Sequence, residues 1–548
     1  MRHGVTKAFL LGLFTLGLAS PACSLHVSGE ADQCTTDDDC RGRGPDFAGT
    51  GCAKAGPRAG FCVDSAEPLA EGECAANADC VDLVGPGAIC ASTSAERRRC
   101  VQVLTPECPI VLGNPFVEGT HILGVIGEVA PDDPAYARDY AHLAGAKVAL
   151  DELQSERGVT LPGKRRFAIV GCTSSRPRAA GARLAALGAK AIVGPTTEEA
   201  LQKVVEQTAP AEIPVLAGAL GDNTASGVKG AESTVFLFGP GRDAIVSALG
   251  AALLDVSPEA RTPQGKVRLA VVLGRGRELL GQTLTEKLVF NEKTAVVNQS
   301  DPTCGAGGCY RAFDAAKLTP AQLADELTTF APTVVVPLTD ATWGSTILPL
   351  VEQRFAAATT KPIYLHVVLD EEDMGYRVQP NDPAFRRRVF GIWPARDEGT
   401  FASFRDRFRK ATSAGAGSPG PTPSLTAARA YDLTALAFYA AYLASFRGAG
   451  GAFGGADVTR ALSDVMAAGA RRVGPGPVDV PSAIAELSKG AAGRIDFDGV
   501  VTALDPMNGR VAPPRWQTFC VDAQGAYVGG ARTYKDGRGE GGTPGLCR

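Results

Sequence analysis

The sequence predicts an α/β protein built as two doubly wound lobes behind a small disulfide-rich module. Three observations carry that reading. A strand–helix–strand rhythm opens at His121, passes through four strand-length apolar segments, and restarts near Val267. Nine cysteines crowd residues 30 to 108, where large apolar residues are few. The chain has 548 residues, too many for one core.

The N-terminus reads as a secretion signal over residues 1–22. Arg2, His3 and Lys7 make a positive end, and Ala8 to Ala19 make an apolar stretch too short for a permanent span. Ser20-Pro21-Ala22-Cys23 resembles a bacterial lipobox, with Cys23 as the lipid-bearing residue. Ser20 and Ala22 also suit ordinary signal peptidase, so two processing routes stay open. The cysteine count bears on the choice: 15 is odd, and lipid on Cys23 leaves 14, enough for seven disulfides in an oxidising compartment.

Residues 23–108 form the cysteine-rich segment and contain a repeat. Cys34, Cys40, Cys52 and Cys62 are separated by 5, 11 and 9 residues, and Cys74, Cys80, Cys90 and Cys100 by 5, 9 and 9. Asp37-Asp38-Asp39-Cys40 matches Asn77-Ala78-Asp79-Cys80. Units this small bury too little to fold without bridges. Four cysteines allow three pairings, and spacing does not choose among them. The tight C-x2-C pairs of structural zinc sites are missing, which argues for disulfides over metal. Asp37 to Asp39 read as a solvated turn, with Ca²⁺ binding as the alternative. A stalk is the expected role of the segment.

The first lobe is the clearest part. His121–Gly127 is a strand, and Glu128–Pro134 a loop. A helix follows from about Ala135 to Glu156, with Tyr140, Leu143, Ala144 and Val148 at helical spacing. Further strands are expected at Arg166–Gly171, Ala191–Pro195 and Ile213–Gly218, and the second lobe opens at Val267–Leu273. Charge is nearly balanced, with 55 Lys+Arg against 59 Asp+Glu, which argues against a nucleic-acid binder.

The order of motifs over residues 118–525 resembles the type I periplasmic binding proteins, in particular the branched-chain amino-acid (Leu/Ile/Val) binding family. The residues that carry the likeness are Ala149-Leu150-Asp151-Glu152, Gly194-Pro195-Thr196-Thr197-Glu198, Ile213-Pro214-Val215-Leu216-Ala217-Gly218-Ala219, Ala430-Tyr431-Asp432 and Gly493-Arg494-Ile495-Asp496-Phe497-Asp498. The resemblance implies two Rossmann-like lobes joined by about three crossings and closing on a ligand. Lobe one is expected at about 118–241 and 394–490, and lobe two at about 242–393 and 491–525, with a Gly-rich tail over 526–548. The crossings fall at Phe236–Gly241, at Phe390–Pro394 and, by analogy, near Gly490–Ile495.

The same resemblance places ligand contacts at Thr196 and Thr197, and at the turn holding Ala217 and Ala219. Strand-to-helix turns present N–H donors and a helix N-terminus to an anion. Leu220 stands where the family has a hydroxyl. Arg275 and Arg277 stand where the family often has D-x-x-Y-G, and they offer donor forks for carboxylate or phosphate. Asp340, Trp343 and Asp370 lie past later strands, Trp343 as a ring to stack on a ligand and Asp370 as an acid for an ammonium group. Each has a bland alternative as a core or solvated residue.

Catalysis is not expected. His121, His142 and His366 are scattered, no H-E-x-x-H or G-x-S-x-G occurs, and Ser226-Gly227-Val228-Lys229 lacks its companion motifs. Gly274-Arg275-Gly276 is not completed to G-x-G-x-x-G, because Leu279 takes the third position. No cofactor or metal is expected. Candidate disulfides are Cys304 with Cys309, Cys520 with Cys547 and, by remainder, Cys108 with Cys172. The reading is an exported, lipid-anchored envelope protein that binds an amino-acid-like solute, an amide or an aromatic acid and serves an ABC permease or a sensor partner. Ser24 points to the outer membrane. The contrasting reading is a surface scaffold whose repeats recognise a partner and whose cleft has lost amino-acid binding.

Overall fold

The structure, a computed structural model, describes residues 34–43, 50–52, 62–64, 74, 76–92, 98–127, 136–154, 166–218, 225–274, 277–339, 343–367, 382–412, 423–448, 453–501, 506–507, 510–511, 515–523, 527–535 and 537–542. It divides into two compact units, Met1–Ala70 and Glu71–Arg548.

The first unit holds the first repeat. Its helix Asp37–Arg41 starts at Thr36, whose side chain caps Asp39 N–H. The Asp39 carboxylate accepts from Thr35 N and Thr36 N, both at 2.7 Å. These bonds, the Thr35 N–H foremost, hold Asp39 down at about 2. The acidic triplet is thus the start of a capped helix. Cys34 is bonded to Cys52, and Cys40 is disulfide-bonded.

In the second unit the second repeat pairs Cys74 with Cys90 and Cys80 with Cys100. Helix Asn77–Val84 is followed by an antiparallel hairpin, Ala88–Ser92 against Arg98–Gln102. This repeat is docked, contrary to a free stalk. Ile89, Val101 and Val103 are buried in one core with Ile122, Ile126, Ala168 and Val170, and each large aliphatic so covered contributes about 1.5–3 kcal/mol. Arg183 pairs with Glu107 at 3.3 Å, and Cys108 is bonded to Cys172, the remainder pairing.

Lobe one is a six-stranded sheet. Its strands are β1 (Ile110–Leu112), β2 (His121–Gly127), β3 (Phe167–Thr173), β4 (Ala191–Val193), β5 (Val215–Ala217) and β6 (Val235–Leu237). The order is β6-β5-β4-β2-β3-β1; β2 to β6 run parallel, and β1 is antiparallel to β3. Continuous apolar runs suit such strands, because helices cover both faces. One covering helix, Leu425–Arg447, is capped by Ser424 and buried on nearly all sides. It lies against helix Tyr136–Leu153 so closely that a Cβ on Gly145 would sit 2.0 Å from the Ala427 carbonyl oxygen.

Lobe two is an eight-stranded sheet. Its strands are β7 (Leu269–Leu273), β8 (Tyr310–Asp314), β9 (Val334–Leu338), β10 (Ile363–Val367), β11 (Val389–Pro394), β12 (Trp516–Val521), β13 (Tyr527–Lys535) and β14 (Arg538–Glu540). The order is β8-β7-β9-β10-β11-β12-β13-β14, with β7 to β11 parallel and the rest antiparallel. Cys304 is bonded to Cys309 at its base. Cys520 is disulfide-bonded; Cys547, its expected partner, lies outside the described residues.

Two boundary expectations change. The stretch expected as a Gly-rich tail contains β13 and β14, because Arg532 and the Tyr534 hydroxyl both bind Asp255, at 2.8 and 3.0 Å. The third crossing lies after Val501, not near Gly490–Ile495. Ile495–Phe497 pairs with Arg471–Val473, and Phe497 packs edge-on against Tyr439 of the lobe-one helix at 5.6 Å. Cys23 lies outside the described residues. Among the described residues, no helix is long and apolar enough to cross a membrane.

Candidate functional site

Both sheets repeat one strand order. Counting from β2 in lobe one and from β7 in lobe two, the five parallel strands run 2-1-3-4-5. In this arrangement the first and third strands are neighbours whose following helices leave to opposite faces. The crevice outside their carboxyl ends is where open α/β sheets hold ligands. In lobe one the crevice is bordered by the turn after β4, and in lobe two by the turns after β7 and β9.

The lobe-one turn is Gly194-Pro195-Thr196-Thr197. Gly194 has φ +94°, and a Cβ there would meet the Ile126 carbonyl oxygen at 2.5 Å. Only glycine fits that backbone. Thr196 is half-buried and Thr197 exposed. The Thr197 hydroxyl accepts from Ala200 N at 3.4 Å and so starts helix Glu198–Thr208. Glu198 and Glu199 occupy its first turn, which complements the helix dipole from within the chain. Glu198 also faces Arg242 at 3.7 Å. Beside this turn, Ala217 is buried at the end of β5, and Arg429 donates to the next carbonyl, Gly218, at 3.1 Å.

Comparison with solved structures bears on this geometry. The chain is similar to the branched-chain amino-acid transporter substrate-binding protein of Streptococcus pneumoniae, solved with isoleucine, at 13% identity and TM-score 0.50, covering 75% of this chain and 99% of that one. A possible leucine/isoleucine/valine-binding protein from Rhodopirellula baltica matches at 12% identity and TM-score 0.49, covering 76% and 98%. An ABC-transporter solute-binding protein from R. palustris, solved with benzoate, matches at 12% and 0.48, covering 75% and 95%. No protein-family model matches the sequence, and no curated protein matches it.

The chain has the type I periplasmic-binding-protein fold. At this identity the likeness shows the fold alone. In the type I fold each motif residue then has a definite place. Glu152 accepts from Arg407 at 2.8 Å and from the Tyr431 hydroxyl at 2.5 Å, a polar cluster inside lobe one. Burial and the Glu152 carboxylate push the Tyr431 phenol up. Asp432 is fully buried and accepts from Val500 N at 2.7 Å and Val501 N at 3.1 Å, so it holds the segment that enters the third crossing. Burial pushes its carboxyl up to about 7.

The lobe-two candidates separate. Arg277 is half-buried at the start of helix Glu278–Lys287, beside the crevice between β7 and β9. Trp343 does not border an open cleft: it is fully buried with Leu323, Phe330 and Ile347, and packs edge-on against Tyr364 at 6.0 Å. A large apolar ring gains more from that core than from a solvated edge. Ala219, Arg275, Asp340 and Asp370 lie outside the described residues.

Among the described residues the histidines pack inside the lobes, His121 half-buried and His142 and His366 buried. His121 packs on Phe167 and Phe453, His142 is buried, and full burial pushes His366 down to about 3. The sulfurs of Cys74, Cys80 and Cys100 lie within 4.8 Å of one another, but all three are in disulfides, which removes the thiolates a metal needs. Three residues at the site were not among the expected contacts: Glu198, which stood only as the last letter of the Gly-Pro motif, Arg242 and Arg429. The one local signal was acidic residues straight after a Gly-Pro turn; the partner of Glu198 is 44 positions away.

Proposed function

We propose that this chain is an exported bacterial solute-binding protein that closes two lobes on an amino-acid-like small molecule and presents it to an ABC permease or a sensor. It performs no chemistry on that molecule. Lipid on Cys23 holds it to the cell envelope, and Thr196, Thr197, Ala217, Ala219, Arg277 and the strand ends after β7 and β9 form the cleft. The observation that supports this reading is the doubled 2-1-3-4-5 sheet, whose switch points border the turn after β4 in lobe one and the turns after β7 and β9 in lobe two. Isoleucine in the pneumococcal relative makes small amino acids the first candidates.

The test is thermal unfolding of the full mature chain with branched-chain amino acids, their amides, aromatic acids and sugars. A ligand at about 100 times its Kd adds roughly 2.7 kcal/mol. A saturable rise in Tm for one class is the expected result. No rise across the panel, with cooperative unfolding, moves the assignment to a scaffold. The docked second repeat then becomes the surface to probe, since Val81, Leu83, Leu104, Phe116 and Val117 are exposed there.

A further inference from the structure

Glu198 and Arg242 belong to helices that pack into different lobes. Glu198 is the first residue of helix Glu198–Thr208, which buries Leu201, Val204 and Val205 in lobe one. Arg242 is the first residue of helix Arg242–Leu254, which buries Ile245, Leu249 and Leu253 in lobe two. Between them the chain makes its first crossing, over 238–241. The side chains are 12% and 21% exposed and stand 3.7 Å apart. Neighbouring charges look elsewhere: Glu199 is exposed and engaged by Lys203, and Asp243 is exposed and engaged by Lys287. The Glu198–Arg242 pair therefore ties the candidate ligand turn of one lobe to the leading helix of the other.

We propose that this ion pair is an interlobe clasp, which favours the conformation seen here and separates when the lobes swing apart. Charges covered to this degree are screened less than surface ones, so breaking the pair weighs on the opening equilibrium. Glu198 sits one residue past Thr197, so whatever displaces the turn displaces the clasp. The inference does not depend on which solute the cleft takes.

The experiment reads the lobe-to-lobe distance in the full ligand-free chain. Spin labels on noncanonical residues replace exposed Ala179 in lobe one and exposed Val296 in lobe two, and dipolar spectroscopy gives the distance distribution. Glu198→Gln and Arg242→Gln should each raise the ratio of long to short distances about fivefold, the size expected for one partly covered ion pair. The double Gln variant should open no further than either single. The reversed pair, Glu198→Arg with Arg242→Glu, should return the distribution toward the native one. Arg242→Lys keeps the charge and should stay near native. Single Gln variants with the native distribution overturn the clasp, as does a reversed pair that stays as open as the singles. This readout needs no ligand, so it stands apart from the binding panel.

Discussion

Gly145→Ala sets two known effects against each other. Gly145 lies inside helix Tyr136–Leu153. Alanine in a helix interior is favoured over glycine by about 0.8–1.0 kcal/mol, so propensity alone predicts a more stable protein. The packing predicts the reverse. The new Cβ would lie 2.0 Å from the Ala427 carbonyl oxygen and 2.9 Å from its Cα. Those atoms are backbone of the most buried helix in lobe one, so no side chain can swing aside. The two helices must move apart, and because the obstructing atoms are backbone the cost falls in the upper part of the overpacking range, about 2–3 kcal/mol. The net expectation is a loss of about 1–2 kcal/mol, read in urea unfolding of the lobe. Gly227→Ala is the control, because nothing lies within 4 Å of its added Cβ; it should be neutral. A Gly145→Ala protein as stable as the native one would refute the packing argument.

Further expectations concern the buried polar groups and the brace. The folded carboxyl of Asp432 is raised to about 7 and the folded imidazole of His366 lowered to about 3. The first stabilises less as pH climbs from about 4 to 7; the second stabilises more as pH climbs from about 3 to 6.5. The two trends oppose, so Tm should change little between pH 4.5 and 6.5 through this pair, whereas Asp432→Asn should leave a Tm that rises with pH. Tyr431→Phe removes one bond to Glu152 and should cost about 1 kcal/mol; Arg407→Ala strands that carboxylate and should cost about 3 kcal/mol by chemical denaturation. Replacing Cys108 and Cys172 by Ala opens a bridge over 64 positions. It should cost about 4 kcal/mol and make the second repeat sensitive to limited proteolysis.

Much of lobe one was legible because fully covered parallel strands are plain apolar runs. His121–Gly127 falls on its predicted bounds, and the helix after it begins and ends within a turn of expectation. The bridges Cys304–Cys309 and Cys108–Cys172 followed from spacing and remainder. What stayed hidden is long-range. Neither the pairing inside the repeats nor the docking of the second repeat has a local signature, since Ile89 and Val101 read as ordinary hairpin residues until Ala168 and Val170 lie under them. Trp343 followed a strand end, as a ligand-facing ring would, yet the chain turns it inward. The third crossing was misplaced because Ile495–Phe497 is a strand whose partner is in lobe one.

The helix Leu425–Arg447 has a mechanical consequence. Arg429 holds the Gly218 carbonyl at the end of β5, and Asp432 holds the amides of Val500 and Val501 at the root of the third crossing. These two grips are three residues apart, about 4.5 Å along the axis, on a helix buried on nearly all sides. The floor of the crevice and the base of a joint are therefore bolted to one beam. A load applied at either reaches the other without passing through solvent or through a loop.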